Sequence, residues 1–389
     1  MKKKLIKSTR TYFQDIFGSK PQYTFLSPGR VNIIGEHVDY NHGFVLPAAI
    51  NKYICFAVSA TEDNNCSIAA KDLDETYSFK LDEDLKPVDK MWVNYILGVL
   101  QQFKVKGLPV KGFNIAFSST IPMGAGLSSS AALECGFGFA LNTIFDLGVS
   151  KQDIALIGQK SEHTFVGVNC GIMDQFASVF GKKNKAIKLD CDTLEYEYHN
   201  ANFKKYSLLL LDSKVKHTHL TSGYNDRRNE VEQGIAILKQ EFPQIKTFRD
   251  CTEQHLLQVK DQLGETIFKR CHFVVTEIQR VLDAVTALEN SDFKKLGQLM
   301  YETHQGLSEE YEVSCSEIDF LVNAVKNKKT VLGSRMMGGG FGGCSINLVE
   351  KGSEKELIES ISKDYLKAFG IELMPYKIKI SKGTSLYKK

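Results

Sequence analysis

A stretch of small residues, Pro122 to Glu134, constrains this chain more than any other feature of the sequence. Glycine and alanine positions are followed by three serines and then by an Ala-Ala-Leu-Glu run that is typical of a helix start. The backbone N–H groups of such a loop can converge on phosphate oxygens, and the helix dipole adds a favourable potential. The alternative is an ordinary serine N-cap after a glycine turn. The loop lacks the Gly-Lys-Ser/Thr ending of a P-loop, so a nucleotide bound here is held differently.

A second segment, Gly29 to Gly43, is dense in groups that bind polar ligands. Arg30, Glu36, His37 and Asp39 supply donors and acceptors within a few residues, and glycines flank them. Ligands rich in hydroxyl groups need such partners, because a recognised hydroxyl that loses its partner costs much binding free energy. The alternative is a solvated, charged loop. The segment therefore favours a sugar-like ligand without establishing one.

Two carboxylates, Glu162 and Asp174, form a third candidate feature. Asp174 lies among apolar residues, where a carboxylate has a perturbed pKa or needs a cationic partner. Phosphoryl transfer requires one carboxylate for magnesium and one near the acceptor hydroxyl. Two acidic residues alone carry little weight, so this assignment depends on the other segments.

The glycine run Gly338 to Gly343 contains a literal G-x-G-x-x-G, which raises the possibility of a dinucleotide fold. The sequence that follows predicts a strand, whereas the dinucleotide motif opens a helix. We therefore interpret this run as a turn that packs closely against another loop.

Strand and helix patterns mix along the chain without regular alternation, which favours an α+β fold. Periodicity predicts helices over 5–17, 92–103, 131–145, 153–165 and 354–369, and several helical stretches within 227–309, such as 273–288. It predicts strands over 23–26, 30–34, 44–60, 113–118, 206–211, 344–349 and 376–380, with a break at residues 27–29. A change in the sequence pattern near Asn200 suggests two domains, 1–200 and 201–389.

Composition narrows the functional class. The 49 basic and 46 acidic residues nearly balance, so the net charge does not indicate binding to nucleic acid or to a membrane surface. No segment approaches the ~20 apolar residues of a membrane span. Nine cysteines without a C-x-x-C pair argue against a disulfide framework and a structural zinc site. We expect a cytoplasmic protein.

With these segments in view, the chain resembles the GHMP kinase superfamily and, within it, the galactokinases. Residues 29–40 are similar to the galactokinase signature, residues 122–132 to the superfamily's phosphate-binding motif, and residues 338–343 to its third motif. The order and spacing of the three segments also match. The resemblance implies two α+β domains with the active site in the cleft between them.

The resemblance also implies a role for each matching residue. Asp174 would accept or orient the proton of the sugar's anomeric hydroxyl, and Arg30 would keep that carboxylate ionised and offset charge on the transferred phosphoryl group. Ser130 and Glu162 match the magnesium ligands, with Ser129 as the alternative to Ser130. The implied galactose contacts are Glu36, His37, Asp39, Gly171 and Tyr224. The implied ATP contacts are Gly124, Ala125, Gly126, Leu127, Ser128, Ser129, Ser130 and Ala131, with Trp92 stacking on adenine unless it only packs in the core.

The implied reaction is ATP-dependent phosphorylation of α-D-galactose at C1, with Mg²⁺ as cofactor, as the first committed step of galactose catabolism by the Leloir pathway. Its partners would be galactose and ATP, without nucleic acid, membrane or an obligate protein partner, in a monomer or weak oligomer. Two alternatives remain at this point. One is a non-catalytic sensor that binds both ligands, and the other is a kinase for N-acetylgalactosamine or another hexose.

Overall fold

A computed structural model describes residues 2–215 and 220–388, with the backbone alone for residues 220–222. Helices and strands are mixed along these residues, so the predicted α+β class is confirmed. None of the described helices is long and apolar enough to cross a lipid bilayer.

The helices occupy both halves of the chain. They are α1 (Lys2–Phe17), α2 (Met91–Val105), α3 (Ser129–Ile144), α4 (Lys151–Ser161), α5 (Met173–Phe180), α6 (Leu220–Glu241), α7 (Glu253–Gln258), α8 (Lys260–Glu289, kinked at Gly264), α9 (Phe293–Gln305), α10 (Ser316–Lys326) and α11 (Glu354–Phe369).

The strands form three sheets. They are β1 (Tyr23–Asn32), β2 (Phe44–Val45), β3 (Pro47–Ala60), β4 (Asn65–Ala70), β5 (Glu75–Lys80), β6 (Phe113–Ser119), β7 (Lys185–Asp190), β8 (Tyr196–Asn200), β9 (Tyr206–Asp212), β10 (Val331–Met337), β11 (Cys344–Glu350), β12 (Met374–Ile378) and β13 (Ser385–Leu386). Their orders are β13-β1-β3-β6-β4-β5, β10-β11-β9-β12 and β2-β7-β8.

The six-stranded sheet is covered on both faces. Side chains alternate across a strand, so Phe25 and Phe56 lie in the main core while Leu26 and Cys55 face α1. Helix α1 closes that second face, where Phe13 packs on three alanines of β3, β4 and β6. Helices α3 and α5 contact β1 and β3. The start of α3 and the start of α5 are thereby held near the end of β1.

The four-stranded sheet belongs to the second half of the chain, where α9 and α10 pack on β10. After β12 the chain returns to the first sheet. Thr384 N donates to Ser178 O at 2.8 Å, and β13 pairs antiparallel with β1. The last residues of the chain therefore complete the sheet of the first half.

Several element boundaries differ from the expectations. Residues 27–29 do not break the first strand, because a register shift between Pro28 and Arg30 absorbs the proline within one continuous β1. Helix α3 begins at Ser129 rather than at residue 131, and α4 ends at Ser161, where a π-helical turn covers Glu162–Val166. Strands β4, β5, β7, β8, β10 and β13 and helix α5 were not predicted.

Candidate active site

One cavity collects groups from both halves of the chain. It is lined by nine residues to which the family resemblance gave a role and by six others. The nine are Arg30, Glu36, His37, Asp39, Ser130, Glu162, Gly171, Asp174 and Tyr224, and the six are Val168, Cys170, Met173, Gln175, Gly338 and Gly339. Residues 144 positions apart, Arg30 and Asp174, are in direct contact there.

Asp174 lies in the first turn of α5 and is held through both of its carboxylate oxygens. Arg30 Nε donates to Oδ1 at 2.7 Å, and the Ser128 hydroxyl donates to Oδ2 at 2.5 Å. The Asp174 side chain keeps 29% of its surface exposed, whereas Arg30 keeps 5%. The carboxylate is therefore fixed in orientation and still accessible from the cavity.

Arg30 is placed by the bulge in β1. This bulge lies directly against residues 122–128, the segment predicted to bind phosphate, which we call the phosphate loop. The Arg30 backbone N–H donates to Leu127 O at 3.2 Å, and its guanidinium donates to Gly126 O. A Cβ at Gly29 would overlap Leu127 O, so only glycine permits this approach. Arg30 consequently joins the loop to Asp174.

The phosphate loop contains three residues with left-handed backbone conformations, two of which are glycines. Gly124 and Gly126 have φ of +72° and +70°, and Ser128, just before α3, has φ of +57°. The Ser128 side chain makes no capping hydrogen bond to α3 and instead contacts Asp174. The first-turn N–H groups of α3 thus remain open to a ligand, as an anion site requires.

Glu162 and Ser130 face the same cavity beside a second buried acid, Glu134. Burial raises the pKa of Glu162 to about 7, the Asp174 carboxylate adds to this, and the Ser130 hydroxyl opposes it. Burial and then the Glu162 carboxylate raise the pKa of Glu134 well above its usual range. Within residues 2–215 and 220–388, no cluster of three or more His, Cys, Asp or Glu side chains could bind a metal. One carboxylate and one hydroxyl are instead a fit for Mg²⁺ that is also bound by nucleotide phosphates.

Glu36 is buried and tied to the second half of the chain. Its Oε1 accepts from Arg335 Nη1 at 3.1 Å and from the Gly338 N–H at 2.9 Å. Arg335, in β10, is fully buried. The side of the cavity that carries Glu36 is therefore built jointly by β10 and the segment after β1.

His37 is surrounded by aromatic rings. Its Nδ1 lies 2.8 Å from the Tyr40 hydroxyl, which lies 2.8 Å from the Tyr311 hydroxyl. The Tyr224 and Tyr311 rings stand 5.5 and 5.0 Å from the His37 ring. Burial lowers the pKa of His37 to about 3, so the imidazole is neutral near pH 7.

Asp39 and Gly171 meet at the edge of the cavity. A Cβ at Gly171 would overlap the Asp39 carboxylate, so the glycine makes room for it. Burial raises the pKa of Asp39 to about 7, and the Asp174 and Glu36 carboxylates add to the shift. Three acids, one arginine and a neutral imidazole give this side of the cavity the donors and acceptors that a polyol needs.

Trp92 does not line this cavity. Its indole N–H donates to Glu75 Oε2 at 2.9 Å, and its ring meets Phe117 edge-on at 5.7 Å. The adenine contact stays a prediction. The remaining loop residues, from Gly124 to Ser129 and Ala131, lie beside the cavity without lining it.

The sequence analysis did not identify Arg335 and Tyr311. Both belong to the second half of the chain, and they contact Glu36 and His37 respectively. Arg335 carries a detectable signal, because a charged residue inside an apolar strand needs a buried partner. Tyr311 carries none, since its sequence context is that of a surface turn.

Comparison with protein families gives three matches along the chain. Residues 11–60 match the galactokinase galactose-binding signature, residues 94–182 the GHMP kinases N terminal domain, and residues 284–367 the GHMP kinases C terminal domain.

Curated relatives and solved structures agree with these matches. The chain is 43% identical to a Thermotoga maritima galactokinase, over 92% of this chain and 98% of that protein. It is 40% identical to a Clostridium acetobutylicum galactokinase, over 95% and 96% respectively. A crystal structure of Lactococcus lactis galactokinase complexed with galactose superposes with a TM-score of 0.94 at 33% identity, covering 97% of this chain and 99% of that one.

Proposed function

Because this chain belongs to the galactokinase family of the GHMP kinases, we propose that it transfers the γ-phosphoryl group of ATP to the C1 hydroxyl of α-D-galactose. The C1 oxygen forms a bond to the γ-phosphorus while the bond from that phosphorus to the β-phosphate bridging oxygen breaks. The products are α-D-galactose 1-phosphate and ADP. This reaction would begin galactose catabolism by the Leloir pathway.

The observation that carries the proposal is the position of Asp174. It stands between the phosphate loop, through Ser128, and the polar side of the cavity that holds Glu36, His37 and Asp39. A carboxylate in that position can take the proton of the sugar's C1 hydroxyl as the oxygen attacks. Orienting the two substrates supplies much of the remaining acceleration.

Arg30 serves the same step through its charge. Its guanidinium offsets the negative charge of Asp174 and lies against the loop where the phosphates would bind. A fixed cation beside the developing charge stabilises the transition state without reorganisation. The loop residues Gly124 to Ala131 would bind the phosphates through backbone N–H groups.

Mg²⁺ is proposed at Ser130 and Glu162. Both side chains line the cavity, whereas Ser129 does not, which supports Ser130 as the hydroxyl ligand. When bound, the metal would supply positive charge that neutralises the nucleotide phosphates. Ionised Glu162 supplies the negative charge that the site needs, and a cation would lower its raised pKa.

Galactose would bind through Glu36, His37, Asp39 and Tyr224, with Gly171 leaving space for Asp39. The neutral imidazole and the acids offer both donors and acceptors to sugar hydroxyls. Burial makes a mismatched hydroxyl costly, so this half would set the choice of sugar.

The substrate is tested by ADP release from ATP and Mg²⁺ with galactose, N-acetylgalactosamine, glucose or arabinose. We expect the highest kcat/KM with galactose. A preference for the N-acetyl sugar would overturn the sugar assignment, and galactose binding without ADP release would indicate a sensor.

We further propose a cytoplasmic monomer or weak oligomer with two domains that divide near residue 200, and no nucleic-acid partner. Support for a reducing compartment comes from the nine cysteines, all of which are free thiols.

A further inference from the structure

Arg335 connects the two halves of the chain through several hydrogen bonds. It is fully buried, and its guanidinium bonds four acceptors. These are the backbone oxygens of Asn32, Ile33 and Met336 and the Glu36 carboxylate. Three of the four lie in the sugar-binding signature, about 300 residues away in sequence.

The same carboxylate oxygen of Glu36 that accepts from Arg335 also accepts from the Gly338 N–H. Arg335 therefore fixes Glu36 and, through it, the start of the glycine turn 338–343. Glu36 lines the cavity, and its Oε2 makes no hydrogen bond to another of the described residues. That oxygen is the one available to a sugar hydroxyl.

The glycine turn packs directly on the phosphate loop. A Cβ at Gly338 would stand 3.4 Å from Gly126 O, and a Cβ at Gly126 would stand 3.2 Å from Met337 O. Gly126 O in turn accepts from Arg30, which binds Asp174. A continuous set of contacts thus runs from the Glu36 carboxylate to the phosphate loop and to Asp174.

We propose that Arg335 is a positioning residue that couples the two substrate sites, so that galactose and nucleotide bind more tightly together than separately. The inference rests on the proposed function. A sugar hydroxyl on Glu36 restrains the carboxylate, Arg335 and the Gly338 turn, and the turn restrains the loop that binds phosphate. Coupling of this kind is reciprocal, so each ligand raises the affinity for the other by the same factor.

The test measures equilibrium binding, not turnover. Galactose affinity is determined by calorimetry with and without a non-hydrolysable ATP analogue and Mg²⁺, in the wild-type chain and in Arg335→Lys. Lysine keeps the charge but cannot span four acceptors with one nitrogen. We expect the analogue to tighten galactose binding at least about fivefold in the wild type and by less than about twofold in the variant.

Arg270→Lys is the matched control. Arg270 is a second buried arginine of the same half. It donates to Glu230, Glu312 and the Glu310 carbonyl, and none of these acceptors lies in the sugar-binding signature. We expect this variant to keep the wild-type coupling factor even if its unfolding temperature falls. Equal loss of coupling in both variants, or retention in Arg335→Lys, would refute the inference.

A second measurement needs no variant, in case Arg335→Lys does not fold. Galactose alone should slow amide hydrogen exchange in residues 122–128 of the wild-type chain, and unchanged exchange there overturns the inference. Independent binding of galactose and the analogue overturns it as well, and the proposed function still stands. Absence of galactose binding overturns the proposed function and this inference together.

Discussion

The two halves of the proposed site differ in burial: the sugar side, with Glu36, His37 and Asp39, lies in the cavity, and the nucleotide side is the phosphate loop beside it. On the sugar side, Glu36 and His37 are 1% and 3% exposed and are held by groups from distant elements. On the nucleotide side, Met123 is 70% exposed, and Gly124 has no atom within 4 Å of a Cβ. Buried side chains discriminate among hydroxyl patterns, whereas an open loop of N–H groups accepts any suitably placed phosphate. In the proposed function, selectivity would therefore come from the sugar side and general phosphate binding from the loop.

Asp174 belongs to both sides, so its replacement should produce the largest effect. In Asp174→Asn we expect kcat to fall about 10²- to 10⁴-fold, because the proton of the C1 hydroxyl loses its acceptor. Galactose binding measured without turnover should change much less. Asp192→Asn, at an exposed aspartate paired with His42, is the control and should keep full activity. Turnover near the wild-type rate in Asp174→Asn would remove Asp174 from the chemical step.

A pair of glycine substitutions separates the two sides directly. In Gly171→Ala the added Cβ overlaps the Asp39 carboxylate, and we expect the KM for galactose to rise on the order of 10- to 100-fold with little change for ATP. In Gly124→Ala the space is open but φ is +72°, which costs about 1–2 kcal/mol for an alanine. There we expect the KM for ATP to rise instead.

Gly148→Ala is the control for backbone strain in this pair. Gly148 has φ of +68° and no atom within 4 Å of a Cβ, and it belongs neither to the cavity lining nor to the phosphate loop. Its variant should lose stability comparable to that of Gly124→Ala while both KM values stay at wild type. If Gly171→Ala and Gly124→Ala altered both KM values by the same factor, the division of the cavity would be wrong.

The buried carboxyl group of Asp39 on the sugar side should make the free energy of unfolding depend on pH. The pKa of Asp39 is about 7 in the folded state against an ordinary 3.8, so between these values the folded state holds a proton that the unfolded state loses. The Asp39 contribution to the free energy of unfolding is therefore full below about pH 4 and is lost as the pH rises through 7.

Urea unfolding at pH 5 and pH 8 measures this effect, with Asp39→Asn as the comparison. We expect the wild-type free energy of unfolding to fall more between the two pH values than that of the variant, which carries no titrating group there. Glu162, with a pKa of about 7, contributes in the same direction in both proteins. Equal falls in the two proteins would mean that Asp39 is ionised in the folded state at pH 5.

The nucleotide side was easier to predict from the sequence than the sugar side. The loop is local, so the glycines, Ser128 and the start of α3 lie within a few residues and carry their own pattern. Glu36 and His37 were found as a polar segment, but the groups that hold them, Arg335 and Tyr311, are brought there by sheet and helix packing across the chain. The charge of Arg335 inside a buried strand indicates that it needs a partner, but no local pattern identifies that partner. Short strands such as β7 were missed for a related reason, because pairing rather than periodicity defines them.

Replacing Trp92 should have the smallest effect of these substitutions, and it tests how far the nucleotide side extends. If its ring stacks on adenine, Trp92→Leu should raise the KM for ATP by a factor of about 2 to 12, since an aromatic pair is worth about 0.5–1.5 kcal/mol, and should leave the KM for galactose unchanged. The observed contacts, with Phe117 and Glu75, would alone predict lower stability with both KM values intact. Glu75→Gln separates these outcomes, because it weakens the bond to the indole N–H and keeps the ring. A raised KM for ATP in Trp92→Leu but not in Glu75→Gln extends the nucleotide side to Trp92, and unchanged values in both confine it to the phosphate loop.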